Sequence, residues 1–178
     1  MAERETGAAA AGGKLAAEKV RALLEILQED DRADPAEIAV MLEMTEDQVR
    51  KEIAALEKAR IIVKYRAMVN WEKTEIDMVS ALIEVKVTPQ RDVGFDDVAR
   101  RIYLFPEVRS VYLMSGAYDL CVQVTAPNLK ELARFVSEKL ATLENVTSTA
   151  THFVLKRYKQ EGVLFEDEER QERLAISP

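Results

Sequence analysis

The chain has 178 residues, 48% hydrophobic, 32% charged and 6% aromatic, with 25 Lys and Arg against 32 Asp and Glu for a formal net charge of -7. That length suits one or two small domains, and the apolar fraction supports a buried core, which excludes global disorder. The acidic balance excludes a protein that coats nucleic acid non-specifically but leaves site-limited DNA contact open. A single cysteine, Cys121, and a single histidine, His152, exclude an intrachain disulfide, an ordinary zinc site and redox chemistry by a Cys pair.

No run reaches the roughly 20 apolar residues of a membrane span, and Ala8 to Ala11 is too short and too weakly apolar for a signal segment. The cytoplasm is the expected compartment, with no membrane partner. Residues 1–14 read as a flexible leader whose alanine run can turn helical. From Leu15 the pattern changes: Val20, Leu23, Leu24 and Leu27 form the stripe of an amphipathic helix ending near Asp30. Asp34 followed by Pro35 starts a second helix, with Ile38, Ala39 and Leu42 as its inner face. Thr45-Glu46-Asp47-Gln48 is a capping box, in which the Thr45 hydroxyl and the Gln48 side chain satisfy each other's backbone donors. The third helix that begins there buries Val49, Ile53 and Leu56, so Asp34 to Arg60 reads as a helix-turn-helix braced by the first helix. Ile61 to Val69, rich in β-branched and aromatic residues, is expected to be the strand or wing that closes a domain over residues 15–69. Its Ile, Val, Tyr and Met side chains exceed what so small a head buries alone, which predicts a homo-oligomer whose partner strands cover it.

Residues 70–77 are polar and read as a linker. Met78 to Val87 alternates, with Val79, Ala81, Ile83, Val85 and Val87 on one face, and ends at Thr88-Pro89. Phe95, Val98 and Ile102 mark a helix closed at Phe105-Pro106. Val108 to Met114 and Tyr118 to Thr125 form an antiparallel hairpin around Ser115-Gly116-Ala117, with Leu120, Val122 and Val124 facing the core. Asn128 caps a helix that buries Leu129, Leu132, Val136, Leu140 and Leu143, and Val146 to Leu155 is the last strand. The fold class is therefore α+β: an N-terminal winged helix-turn-helix followed, over residues 78–158, by a ferredoxin-like βαββαβ domain. Residues 159–178 hold six acids (Glu161, Glu166, Asp167, Glu168, Glu169, Glu172) against Lys159, Arg170 and Arg173, and read as a solvated charged tail.

Leu56-Glu57-Lys58-Ala59-Arg60-Ile61-Ile62 running into Tyr65-Arg66-Ala67, then Phe105-Pro106-Glu107-Val108, Ser115-Gly116-Ala117-Tyr118-Asp119-Leu120 and Ser148-Thr149-Ala150-Thr151, resemble the Lrp/AsnC (feast/famine) family of transcriptional regulators over about residues 18 to 158. The resemblance implies a two-domain regulator. Its winged-helix heads bind double-stranded DNA as dimers, its ferredoxin-like domains assemble into tetramers or octamers, and an amino acid or related metabolite binds between those domains. Family recognition helices carry several arginines where this chain has Glu52, Ala54 and Ala55.

With Val49, Ile53 and Leu56 inward, the 100° helical step points Asp47, Lys51, Ala54 and Lys58 outward, flanked by Gln48 and Arg50. Over Asp34 to Arg66 the acids Asp34, Glu37, Glu43, Glu46, Asp47, Glu52 and Glu57 outnumber by one the bases Arg50, Lys51, Lys58, Arg60, Lys64 and Arg66. The bases cluster after Arg50. DNA contact is therefore expected from Gln48, Arg50 and Lys51 in a major groove and from Lys58, Arg60, Lys64 and Arg66 on phosphates.

The resemblance places the effector at the turn Ser115, Gly116, Tyr118 and Asp119 together with Thr149 and Thr151, at a subunit interface. There Asp119 would receive an amino group, backbone N–H groups around Gly116 a carboxylate, and Tyr118 would cover the ligand side chain. Gly116 and Asp119 equally suit a tight turn, with Gly supplying positive φ. Cys121 reads as structural. No phosphate loop, catalytic triad or paired carboxylates appear, so no enzyme and no cofactor is expected. Two alternatives stand beside the regulator. One is a metabolite-sensing or assembly protein with weakened DNA binding. The other is an enzyme like the sirohaem decarboxylases, which resemble the same family and would rely here on His152 with Arg109 holding propionates.

Overall fold

The computed structural model describes residues 5–88 and 94–165. The chain divides into two compact units, Met1–Ala67 and Met68–Pro178, each with its own core.

The first unit holds α1 (Glu5–Glu29), α2 (Pro35–Met41) and α3 (Glu46–Lys58). α1 runs from Glu5 through the alanines, the residues of highest helix propensity, so the alanine run is helical as its composition allows. Local side chains close the later ends as the sequence anticipates. The Asp34 carboxylate accepts from the Ala36 amide at 3.0 Å, the Thr45 hydroxyl accepts from the Gln48 amide at 3.2 Å, and Gln48 Oε1 accepts from the Thr45 amide at 2.9 Å. Leu23, Leu27, Ile38, Ala39, Val49 and Leu56 form the core, with Ile53 and Ile62 partly buried around it. At the far end of α3, Arg60 adopts a left-handed φ of 59°, and the Ile61 amide donates to the Leu56 carbonyl at 2.9 Å while the Arg60 amide donates to that of Glu57 at 3.0 Å. This is a Schellman closure.

The expected strand over Ile61 to Val69 does not form within the chain. A strand needs a ladder partner for its backbone groups, and the first unit contains no other strand among the described residues. The segment is fastened instead by side chains: Ile62 packs on the helical core, and the Tyr65 hydroxyl donates to Glu57 Oε1 at 2.9 Å.

The second unit contains β1 (Val79–Val87), α4 (Phe95–Tyr103), β2 (Val108–Leu113), β3 (Leu120–Ala126), α5 (Leu129–Phe135) and β4 (Val146–Phe153), which is the βαββαβ order. The antiparallel sheet runs β2-β3-β1-β4. Alternation puts Ala81, Ile83, Val85 and Val87 of β1 and Leu120, Val122, Val124 and Ala126 of β3 beneath Val98, Ile102, Leu132, Phe135 and Leu140 of the helices. Leu129 corrects one expectation, being 56% exposed. It occupies the first turn, where the backward tilt of helical side chains carries it past the sheet, and Phe135 takes the inner place. After Phe135 the helix widens into a π turn, Val136–Leu140, which brings Leu140 inward.

The first part of the tail also differs from a plain extension. β5 (Lys159–Gln160) and β6 (Val163–Leu164) pair around Glu161 and Gly162, whose φ values of 48° and 89° suit a tight hairpin. The Phe165 carbonyl accepts from the Asn70 amide side chain at 3.4 Å, tying this hairpin to the short 3-10 turn Trp71–Lys73. Pro89 and the acidic residues from Glu166 onward lie outside the described residues.

Candidate DNA-binding and effector sites

Burial of Val49 and Leu56, with Ile53 half-buried, fixes the rotation of α3 and leaves Asp47, Lys51, Ala54, Ala55 and Lys58 exposed. The polar groups expected to read bases are engaged within the helix itself. Gln48 is the reciprocal arm of the capping box, Arg50 Nη2 lies 2.7 Å from Glu46 Oε1, and Lys51 Nζ lies 2.7 Å from Asp47 Oδ2. Both ion pairs join residues one turn apart and are solvent-exposed, so each stabilises the helix by only about 0.3–0.5 kcal/mol. Lys58, Arg60 and Lys64 are exposed and form no ion pair among the described residues, whereas Arg66 is engaged within the chain. The Tyr65 hydroxyl is held above its ordinary pKa by burial, by its bond to Glu57 and by the charges of Glu57 and Asp31, so it stays a donor.

The turn from Ser115 to Asp119 is built around β1. The Asp119 amide donates to the Val85 carbonyl at 3.1 Å, and Asp119 Oδ2 accepts from the Val87 amide at 2.8 Å. That amide sits where the β1–β4 register shifts between Lys86 and Val87, so the carboxylate fills a gap left by the bulge. Asp119 thus has a structural partner on one oxygen. Gly116 supplies the positive φ expected of it, 159°, a conformation that L side chains rarely adopt, and a Cβ built there meets no atom within 4 Å.

Within the chain, Tyr118 does not converge with Thr149 and Thr151. Thr149 pairs with Val85 and Thr151 with Ile83, so both face the helix-covered side and are half-buried. Tyr118 lies against Cys121 and Glu84 on the opposite, open side; burial and those two neighbours raise its hydroxyl pKa. His152 Nε2 lies 3.3 Å from Glu84 Oε1 and continues this row of polar side chains across the open face. Sequence reasoning missed Glu84 as part of the row. Period-two alternation alone assigns it to the outer face, but the register that sets it beside both Cys121 and His152 is a pairing property. Exposed Leu82 and Tyr112 share that face.

Arg109 donates to the Thr125 hydroxyl at 2.7 Å on β2, the edge strand opposite β4. Three strand spacings, roughly 14 Å, therefore separate the strands carrying Arg109 and His152. Among the described residues no group of three or more His, Cys, Asp and Glu is arranged to hold a metal ion, and no helix is long and apolar enough to cross a membrane.

A family model described as the Lrp/AsnC ligand binding domain matches residues 80–164. The uncharacterised helix-turn-helix transcriptional regulator YugG of Bacillus subtilis is 50% identical over 162 residues, covering 90% of this chain and 98% of its own length. The uncharacterised regulator PH0140 of Pyrococcus horikoshii is 36% identical over 131 residues, covering 74% of this chain and 80% of its own length. Among solved structures, the complex of the transcriptional regulator NMB0573 with L-Met from Neisseria meningitidis superposes with a TM-score of 0.66 at 25% identity, covering 80% of this chain and 91% of that one. With a helix-turn-helix head, a βαββαβ domain in the matched segment and a half-identical relative of nearly equal extent, the chain belongs to the Lrp/AsnC family of transcriptional regulators.

Proposed function

We propose that this chain is a homo-oligomeric DNA-binding regulator whose ferredoxin-like domain responds to an amino acid or a related small metabolite. The observation that carries the reading is the capped helix-turn-helix, with Lys58 exposed at the end of its recognition helix and Arg60 and Lys64 exposed just after it, on the same chain as the family's ligand-binding domain. The NMB0573 complex with L-Met supports an amino acid as the class of effector. Open space at Gly116 supports close approach of a ligand to the turn, and Asp119 Oδ1, without a hydrogen bond among the described residues, supports an acceptor for an amino group. Because Tyr118 and the two threonines lie on opposite sides of the sheet, a pocket using all of them requires more than one copy. Unpaired Ile61 and Val63, with Leu82 and Tyr112 on the open sheet face, support self-association.

The test combines three measurements on the full chain. Light scattering is expected to show an oligomer, and a stable monomer at micromolar concentration overturns that part. Amino acids and keto acids are expected to stabilise the folded chain by RT ln(1 + [L]/Kd), read as a shift of the thermal midpoint to higher temperature. Gly116→Val is expected to abolish this shift at some cost in unliganded stability, since its φ of 159° strains any side chain; retention of the full shift in the folded variant removes the turn from the site. Selection of duplexes from a random pool at low salt tests DNA binding. The paired charges at the start of α3 favour one second reading, a metabolite-sensing assembly protein with weakened DNA binding. That reading wins if a ligand shifts the midpoint while no duplex is enriched.

A further inference from the structure

We infer that the recognition helix reads DNA through the methyl groups of Ala54 and Ala55, so that the bound duplexes carry thymine at the base pairs these residues face. The inference rests on the DNA-binding reading above and goes further, by naming the residues that choose the sequence and the base feature they choose. It begins with what the first half of α3 withholds. Gln48 reaches a base only by giving up its cap on the Thr45 amide. Arg50 and Lys51 can swing away from Glu46 and Asp47, but the two carboxylates stay one turn off on the exposed start of the same helix. The first half of the helix therefore carries no net charge into a groove, whichever rotamers it adopts.

Further along the same exposed face stand Ala54 and Ala55, followed one turn later by Lys58. Alanine does not hold the helix away from the base edges, and its methyl is a partner for the C5-methyl that thymine alone presents in the major groove. Charge complementarity seats the helix there. Lys58, Arg60 and Lys64, exposed and without ion pairs among the described residues, follow the alanines and suit the phosphates that flank the groove. These cations position the helix without reading sequence, and the alanines supply the readout.

The experiment uses the full chain and the duplex most enriched from a random pool. Each thymine is replaced in turn by deoxyuridine, which keeps every hydrogen-bonding group and removes only the methyl. Replacement at the positions facing the alanines is expected to weaken binding about fourfold for each methyl removed. Ala54→Gly and Ala55→Gly are expected to bind the thymine duplex more weakly and to lose their sensitivity to deoxyuridine at one position each. Since glycine loosens a helix, Ala54→Ser, which keeps the Cβ, serves as the second variant and is expected to retain the helix while changing the preferred base. If the enriched duplex binds tightly and no deoxyuridine replacement weakens it, or if the glycine variants stay as sensitive as the parent, the inference is overturned while DNA binding stands. If no duplex is enriched, the DNA-binding reading fails first.

Discussion

The head buries Leu23, Leu27, Ile38, Ala39, Val49 and Leu56 between helices closed by residues close in sequence, whereas the effector domain buries more than twice as many residues beneath a sheet whose central strand pairs with two distant ones. In the head a cap such as Thr45 or Asp34 lies within three residues of the amide it satisfies. In the effector domain the corresponding tasks fall to groups far apart in sequence, as when Asp119 completes the bulge at Val87 or Lys139 meets Glu107. Stability in the first unit therefore depends on many small local terms, and in the second on a few large non-local ones.

The largest test of this contrast is Phe135→Ala. Phe135 is 2% exposed and meets Phe105 edge-on with ring centroids 5.5 Å apart. Truncation is expected to cost the effector domain about 3–5 kcal/mol. In urea unfolding followed by hydrogen exchange, the protection of β1 and β3 should fall while that of α2 and α3 stays. Equal loss in both units would show that they unfold as one and would break the comparison.

Next in size is the Glu107 carboxylate, whose Oε1 lies 2.5 Å from Lys139 Nζ, an ammonium that also sits above the Phe105 and Phe135 rings. Burial pushes the Glu107 pKa up, but the bond from Lys139, its own backbone amide and the Lys139 charge bring it below the ordinary carboxylate value. A depressed folded pKa contributes stability that is fully present above the unfolded value, near 4.5, and is lost as pH falls through the lowered folded value. Glu107→Gln is therefore expected to lower effector-domain stability by about 1–2 kcal/mol at neutral pH and to flatten its loss below pH 4.5. An unchanged acid limb in pH-dependent melts would remove Glu107 from the account.

Two head substitutions sharpen the other side. Thr45→Ala removes one arm of the capping box and is expected to cost the head about 1 kcal/mol, read as faster exchange at the Gln48 amide, with no change in the sheet. Arg60→Gly relieves the left-handed backbone at the end of α3 and is expected to stabilise the head by about 0.5–1 kcal/mol, while its DNA affinity falls and its salt slope flattens by about one unit. A gain in stability with undiminished affinity would take Arg60 off the phosphate contacts.

The helices, their caps, the six elements of the second domain and the family resemblance were all legible in the chain, because each signal lies within a helical turn or a strand's own alternation. The candidate sites were less so. Gln48, Arg50 and Lys51 face outward as the helical step requires, but whether an outward cation is available depends on the rotamer of a neighbour one turn away, and Glu46 and Asp47 take up two of them. The positive φ of Gly116 follows from its type, but the empty space beside it is a property of the folded hairpin.

By itself the sequence determined what local sterics and periodicity determine: where helices begin and stop, which face of each is apolar, and that a helical head precedes an alternating α+β domain. Only the tertiary structure decided that Ile61 to Val69 stays without a strand partner, that Asp119 serves the bulge in β1, and that Tyr118 lies across the sheet from Thr149 and Thr151. The physical reason is range: caps and stripes are settled within about four residues, while register, pairing and the side of a sheet depend on contacts between segments tens of residues apart.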